Sequence, residues 1–175
     1  MGKLKIAVSG KSGCGNTTIS RIVADRLALD FINFTFRALA EEHGLTLREV
    51  LEKAAADDYW DREVDRRQVE LAKKSSGCVL GSRLAIWMLE EADLKVYLRA
   101  APETRAARIA RREGGDMGEI AAFTRDRDRQ DRERYMRLYD IDNDEYGFAG
   151  LVIDTDAMTP EEIADEIIRE ANSRV

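Results

Sequence analysis

The sequence predicts an α/β fold on a parallel sheet of about five strands, in a three-layer arrangement. Three observations predict it. Short apolar, β-branched runs recur along the 175 residues. Longer stretches with apolar residues at helical spacing separate them. The first run opens directly into a glycine-rich turn and a second amphipathic stretch. Buried strands alternating with helices favour a parallel sheet covered on both faces.

The first strand is expected at 4–9 (LKIAVS), followed by Gly10-Lys11-Ser12-Gly13-Cys14-Gly15-Asn16-Thr17-Thr18. Set against G-x-x-x-x-G-K-[ST], the glycines fall at Gly10 and Gly15 and the hydroxyl at Thr17, but Asn16 occupies the lysine position. Backbone N–H groups in such a turn bind phosphate oxygens, helped by the positive end of the following helix. That helix is expected at 15–28, with Ile19, Ile22, Val23 and Leu27 on its apolar face. An ordinary strand–turn–helix rich in small residues is the bland alternative, and the strand-before, helix-after context favours a nucleotide-phosphate site. Without the lysine, the cradle keeps its amides and loses the cation that reaches the β/γ-phosphates.

A weaker strand follows near 31–34 (FINF), then helices at 35–43, 46–56 and 60–74. Three helices in a row from 35 to 75 without a strand suggest a helical insert over the sheet. Next come a strand at 78–80 (CVL), a helix at 84–91, a strand at 94–98 (LKVYL) and a helix at 102–113. Gly114-Gly115 breaks the chain before a long helix at 118–138, a plausible hinge for a mobile hairpin. A strand at 151–153 (LVI) and a helix at 160–171, opened by Thr159-Pro160-Glu161-Glu162, complete the order.

Composition narrows the function. The length suits one domain, residues 1–175, with a single core. No apolar run approaches the ~20 residues that span a bilayer, and MGKLKIAVSG is expected to be the first strand rather than a signal peptide. Cys14 and Cys78 are too few for a disulfide scaffold, and a lone His43 excludes a His-rich metal site. A cytoplasmic protein is expected. The net charge of −6 argues against a nucleic-acid partner. Its distribution is uneven, since residues 99–137 hold eleven arginines against eight acids. A solvated helix laced with ion pairs explains such a run on charge alone.

The placement of the arginines suggests more. Phosphoryl transfer needs a donor cradle and several cations converging on the acceptor, and the planar guanidinium suits phosphate oxygens. Arg37 interrupts an otherwise apolar helix start (FTFRALA), and Arg83 follows a buried strand, where ligands sit in open α/β sheets. Arg108, Arg111 and Arg112 lie within one turn before the glycines. Arg127, Asp131 and Arg134 share a helix face at i, i+4, i+7, beside a neighbouring face of Arg125, Arg129 and Arg132.

On these residues the chain resembles the cytidylate kinases, nucleoside monophosphate kinases of the phosphate-loop class. Phe36-Arg37-Ala38-Leu39-Ala40 is similar to that family's Y-R-A-x-A, and Gly81-Ser82-Arg83 to its D-G-R. The resemblance continues through Glu91-Ala92-Asp93-Leu94-Lys95-Val96-Tyr97-Leu98-Arg99-Ala100 and Arg105-Ala106-Ala107-Arg108. Arg127-Asp128-x-x-Asp131-x-x-Arg134, similar to R-D-x-x-D-x-x-R, is the most discriminating match. The chain looks closest to the compact type found in archaea and some bacteria.

The resemblance implies a kinase that uses ATP and Mg²⁺ to phosphorylate CMP or dCMP, with a monophosphate-binding insert at 35–75 and a lid at about 112–135. Arg37, Arg83, Arg127 and Arg134 would hold the acceptor phosphate, Asp131 would contact the nucleoside, and Arg62 could approach the base. Loop residues Gly10 to Thr18, with Arg108 and Arg112, would bind the donor, and Thr17 would ligate the metal. Arg83, Arg127 and Arg134 would act on the transferring group. Two departures stand out, Asn16 for the lysine and Gly81 for the acid before G-R. Lys11 is a candidate substitute cation and catalytic residue, with a plain surface lysine as the alternative. Small nucleotides are the expected partners of a monomer, with no membrane partner. A nucleotide-binding module without turnover, or a kinase of another small acceptor, remain competing readings. Cys14 is expected to serve only as a small loop residue, His43 to sit at an exposed helix end, and Trp60 and Trp87 to pack rather than stack on a base, although Trp87 lies near enough to Arg83 to line the acceptor site.

Overall fold

A computed structural model describes residues 4–174. Five strands form one all-parallel sheet in the order β2-β3-β1-β4-β5. These are β1 (Lys5–Gly10), β2 (Asp30–Ile32), β3 (Cys78–Gly81), β4 (Leu94–Arg99) and β5 (Leu151–Asp154). Eight helices are described: α1 (Asn16–Leu27), α2 (Phe36–His43), α3 (Leu47–Ala56), α4 (Tyr59–Lys74), α5 (Ala85–Met88), α6 (Pro102–Glu113), α7 (Met117–Tyr139) and α8 (Pro160–Asn172).

The period-two alternation of the strands sorts side chains onto two apolar layers. Ile6 and Val8 of β1 face one side, with Val79, Val96, Leu98 and Ile153, against Ile19 and Val23 of α1 and Ile163 and Ile167 of α8. Ala7 faces the other side, with Leu80 and Tyr97, against Ala85 and Ile86 of α5 and Ala72 of α4. Both layers are closed to water, so truncating a fully buried Ile19 or Ile163 to Ala is expected to cost about 2–5 kcal/mol. The insert α2–α4 has a small core of its own around Phe34, Leu39 and Val64.

Two elements are shorter than expected. The helix foreseen at 84–91 is a single turn, Ala85–Met88, because the chain must re-enter the sheet at β4. That return is pinned to β1: Lys5 N–H donates to Asp93 Oδ2 at 2.7 Å, and Asp93 N–H donates to the Lys5 carbonyl at 2.8 Å. The second strand ends at Ile32 because Phe34 leaves the sheet to join the core of the insert.

Helix ends carry the local signals the sequence advertised. Thr46 with Glu49, and Thr159 with Glu162, form reciprocal capping boxes, and Pro160 opens the first turn directly after Thr159. The Asp116 carboxylate accepts from Glu119 N–H at the start of α7. Gly114 and Gly115 both hold positive φ, 76° and 108°, which ends α6 and separates it from α7.

In this strand order, β3 returns to pair beside β1 and the chain then crosses to β4 on its other side. The crevice at the C-terminal end of β1 is therefore the switch point where open α/β sheets place ligands.

Candidate active site

The turn after β1 is shaped by close backbone approach. Gly13 and Gly15 hold φ of 85° and 95°, and a Cβ at Gly13 would lie 2.9 Å from Arg105 Cβ. A Cβ at Gly10 would meet the Leu98 carbonyl at 2.6 Å. Cys14 N–H closes the turn on the Lys11 carbonyl at 3.1 Å. Helix α1 then begins on Gly15 with no side-chain cap and no acid in its first turn. Its leading N–H groups and positive end thus face the cavity, the arrangement that binds phosphate.

Asn16 does not reach into that cradle. Its Nδ2 donates to the Gly10 carbonyl at 2.5 Å, and its buried Oδ1 has no hydrogen-bond partner. The residue at the lysine position is a strut across the loop. Lys11 lines the cavity, and its Nζ lies 2.6 Å from Asp144 Oδ1. Cys14 is buried, and burial raises its thiol pKa, so it remains a neutral packing residue.

Two arginines one helical turn apart on α6 hold the loop from behind. Arg105, 4% exposed, donates to the Ser12 carbonyl at 3.2 Å and forms a two-pronged pair with Asp128 of α7 at 2.6 and 3.2 Å. Arg108 donates to the Gly13 carbonyl at 3.3 Å and to Thr155 at 2.9 and 2.6 Å. Arg108 therefore borders the cavity, as expected, with its guanidinium committed to protein oxygens. Arg111 and Arg112 also line it, and Arg112 stays exposed beside Glu113. Arg105 is the residue sequence reasoning undervalued: it was visible within a motif, but nothing local distinguished it from its solvated neighbours.

The far end is built from side chains on three elements. Arg83, after β3, places Nε 3.4 Å from Asp131 Oδ2. Arg134 of α7 lies 2.9 Å from Asp131 Oδ1 and 3.4 Å from Asp61 Oδ1 of α4. Among the described residues Arg127 has no ion pair; it is exposed at the cavity wall, where partial desolvation together with the neighbouring Arg83 charge lowers its pKa. Asp131, 5% exposed, is held between Arg83 and Arg134 and is not among the residues lining the cavity. Burial raises the pKa of Asp61 and pushes Asp65 up to about 6, although the Tyr139 hydroxyl donates to Asp65 at 2.6 Å.

Both ends share one cavity of about 1010 Å³, at the top of the range for a single small-molecule site. It brings together Lys11 to Thr18 and Arg83, Arg108, Arg112, Arg127 and Arg134. Gly10 sits beneath the loop at the strand end. Arg37 and Arg62 are exposed and outside the lining, with Arg62 placed over the Tyr139 ring at 5.7 Å. Their helices turn these side chains outward while Asp61, Asp65 and Gln68 of α4 face inward. Trp87 lies against Tyr97 and Phe148 rather than in the cavity, and Trp60 packs in the insert with the exposed His43 ring 5.2 Å away.

Gly81 has a steric reason. A Cβ there would lie 2.5 Å from Ser20 Oγ and 2.8 Å from Ser20 Cβ, so α1 packs where an acid would stand. For a divalent cation, the Thr17 hydroxyl lines the cavity at the first turn of α1. Among the described residues no cluster of three His, Cys, Asp or Glu side chains is built to hold a metal. Thr17 is thus the side chain of the loop that could hold a divalent cation carried in on phosphate oxygens.

Comparison with known proteins adds to this geometry. The chain is 45% identical over 175 residues to cytidylate kinase 2 of Borreliella burgdorferi, covering 98% of this chain and 97% of that protein. It is 37% identical over 168 residues to a cytidylate kinase of Archaeoglobus fulgidus, covering 95% and 93%. Among solved structures, shikimate kinase from Acinetobacter baumannii in complex with shikimate is similar with a TM-score of 0.68 at 20% identity, over 98% and 94% of the two chains. Deoxyadenosine kinase from M. mycoides with bound dATP gives 0.58 at 17% identity, over 97% and 100%. At those identities the structures speak for the fold alone, that of the phosphate-loop kinases. No helix among the described residues is long and apolar enough to cross a membrane. The model of the cytidylate kinase-like family matches residues 5–157, and the chain belongs to that family.

Proposed function

We propose that this protein is a nucleoside monophosphate kinase that transfers the γ-phosphoryl group of ATP to CMP or dCMP, giving ADP and the diphosphate. One observation carries the reading: a single cavity at the switch point joins an uncapped phosphate loop to three converging arginines. The identity to cytidylate kinases over nearly the whole chain supports it.

In this reading the amides of residues 11–18 and the start of α1 bind the donor phosphates. Thr17 would be the protein ligand of magnesium supplied with ATP, which would neutralise charge on the donor phosphates. Arg83 and Arg134 bind the acceptor phosphate, and Arg127, lacking an acidic partner, faces the charge that develops during transfer. Asp131 fixes both binding arginines. The acceptor monophosphate is largely a dianion at neutral pH, so positioning and charge stabilisation suffice without a general base. Lys11 is the donor-side cation, and to serve the phosphates it must leave Asp144. The lid extends beyond Gly114-Gly115, and its closure is confined to the part distal to the buried Arg105–Asp128 pair. Two free, buried cysteines fit the reducing cytoplasm.

A second reading has its own support, because Asn16 is a strut and Lys11 is paired, leaving no uncommitted lysine in the loop. On that reading the protein binds nucleotide without turnover. ADP release measured with a panel of CMP, dCMP, UMP, AMP and GMP separates the two. The kinase reading expects the highest kcat/KM with CMP or dCMP. ATP binding with no phosphorylation of any monophosphate would establish the binding module instead.

A further inference from the structure

We propose that Asp65 and Gln68 of α4 read the base of the acceptor nucleotide and select cytosine over uracil. This rests on the kinase reading above and adds the residues that would determine its pyrimidine specificity.

Residues 61, 64, 65 and 68 are spaced i, i+3, i+4, i+7, and all four line the cavity from one face of α4. The face is mixed in a way a merely packing helix would not be. Val64 supplies a buried apolar floor beside three polar groups. Gln68 is 7% exposed, and its buried Oε1 has no hydrogen-bond partner. Buried amide oxygens are nearly always satisfied in folded proteins, so an open one facing a cavity marks a place where a ligand donor fits. Asp65 lines the cavity and receives the Tyr139 hydroxyl on Oδ2 at 2.6 Å, which orients the carboxylate through one of its two oxygens.

The face lies next to the acceptor-phosphate site. Asp61, one turn before Asp65, is 3.4 Å from Arg134 Nε, and Arg134 belongs to the arginine cluster. A mononucleotide whose phosphate sits among Arg83, Arg127 and Arg134 would therefore extend its base toward Asp65 and Gln68. The residues that the family resemblance offered for this task are engaged elsewhere. Asp131 is held between two arginines, and Arg62 is exposed over a tyrosine ring.

Hydrogen-bond polarity decides the preference. Cytosine presents an amino donor at C4 beside the N3 acceptor, whereas uracil presents a carbonyl at C4 beside an N3–H donor. A glutamine amide can serve either base by turning over, because it carries both a donor and an acceptor. An ionised carboxylate only accepts. With Asp65 facing C4, the cytosine amino group is matched, and the uracil carbonyl is set against a like partner. The cytosine amino group carries two N–H bonds, and the unpartnered Gln68 Oε1 accepts the second. Mismatched polar groups in a desolvated site are rejected far more strongly than a missing methylene.

The test is the ratio of kcat/KM for CMP to that for UMP, measured on one preparation so that the fraction of active enzyme cancels. Wild type is expected to favour CMP by ~100-fold or more, on the scale of a hydrogen-bond mismatch. Asp65→Asn supplies a donor at C4 and is expected to lower the ratio by roughly 10–100-fold, with an absolute gain for UMP. Gln68→Leu keeps the bulk and removes the amide. It is expected to raise KM for CMP roughly 10-fold while KM for ATP stays unchanged. Tyr139→Phe controls for the lost tether of Asp65: a ratio that stays near the wild-type value places the discrimination in the carboxylate itself. If Asp65→Asn keeps the wild-type ratio, or if wild type uses CMP and UMP equally, the base assignment is wrong while the kinase reading stands. If wild type phosphorylates no pyrimidine monophosphate, the kinase reading itself falls and takes the assignment with it.

Discussion

On the proposed reading, the two ends of the cavity hold phosphate with different materials. The donor end is made of backbone: glycines at positive φ, the uncapped start of α1, and carbonyls gripped from behind by Arg105 and Arg108. The acceptor end is made of side chains from α4, α7 and the end of β3, in which Arg83 and Arg134 are restrained by the buried Asp131 and the half-buried Asp61, with Arg127 beside them. A backbone cradle is indifferent to which nucleotide brings the phosphates. A side-chain cluster can be tuned to its occupant, and it depends on every member. The guanidinium groups also divide by end, into structural ones behind the loop and phosphate-facing ones opposite it.

The sharpest way to break this division is Arg105→Ala. If Arg105 is structural, the loss strands a largely buried Asp128 and loosens the Ser12 carbonyl, and stability should fall by about 3–5 kcal/mol. Thermal or urea unfolding measures it. A loss confined to activity, with unfolding unchanged, would move Arg105 to the phosphate-facing group.

Lys11 tests the donor end. Lys11→Ala is expected to lower kcat by a factor of order 10² or more, the scale of a lost transition-state contact. Asn16→Ala should be milder, and Asn16→Lys should preserve or raise activity. Normal turnover by Lys11→Ala would assign the transfer charge to magnesium and the acceptor-end arginines alone. At that acceptor end, Arg83→Ala and Arg134→Ala should each cost roughly 10–100-fold in kcat/KM for CMP, equivalent to about 1.5–3 kcal/mol, with KM for ATP unmoved. Unchanged CMP kinetics in both variants would refute the acceptor site.

How well the sequence announced each end follows the same division. The phosphate loop was legible because backbone function requires glycine at fixed offsets, and a spacing pattern records that directly. Arg83 was legible from its place after a buried strand, and Arg134 from its face with Arg127 and Asp131. The α4 face was not. Asp61, Asp65 and Gln68 alternate with Arg62, Arg66 and Arg67, and a stretch so dense in charge looks like a solvated surface until the fold shows which side turns inward. Arg37, in an apolar stretch, and Arg62, in this charged one, lie outside the cavity lining because their helices turn them outward, which spacing alone did not show. The role of Asn16 was legible only as a missing cation, since its bond to Gly10 depends on the curvature of the turn.

A last expected effect concerns Asp65 and pH. Its folded pKa of about 6 stands above the unfolded carboxylate value, so the folded state holds the proton more tightly. That contribution to stability is present below the unfolded pKa of ~4 and is lost as pH rises through about 6, by about 2–3 kcal/mol. Acids with lowered values, such as Asp58 and Asp142, act in the opposite sense, so the comparison must be made against Asp65→Asn. The difference in unfolding free energy between wild type and variant should drift against wild type from pH 4 to 7. A flat difference would mean Asp65 is ionised as readily as an exposed carboxylate.

The claim that one cavity joins a donor cradle to an acceptor site is tested most directly by following the phosphoryl group itself. Protein, magnesium and CMP are incubated with ATP labelled in its γ-phosphate, and the products are resolved. The account predicts label in CDP, one ADP formed for each CDP, and no appreciable ADP when CMP is omitted. Label appearing only in inorganic phosphate, or ADP formed at the same rate without CMP, would contradict it.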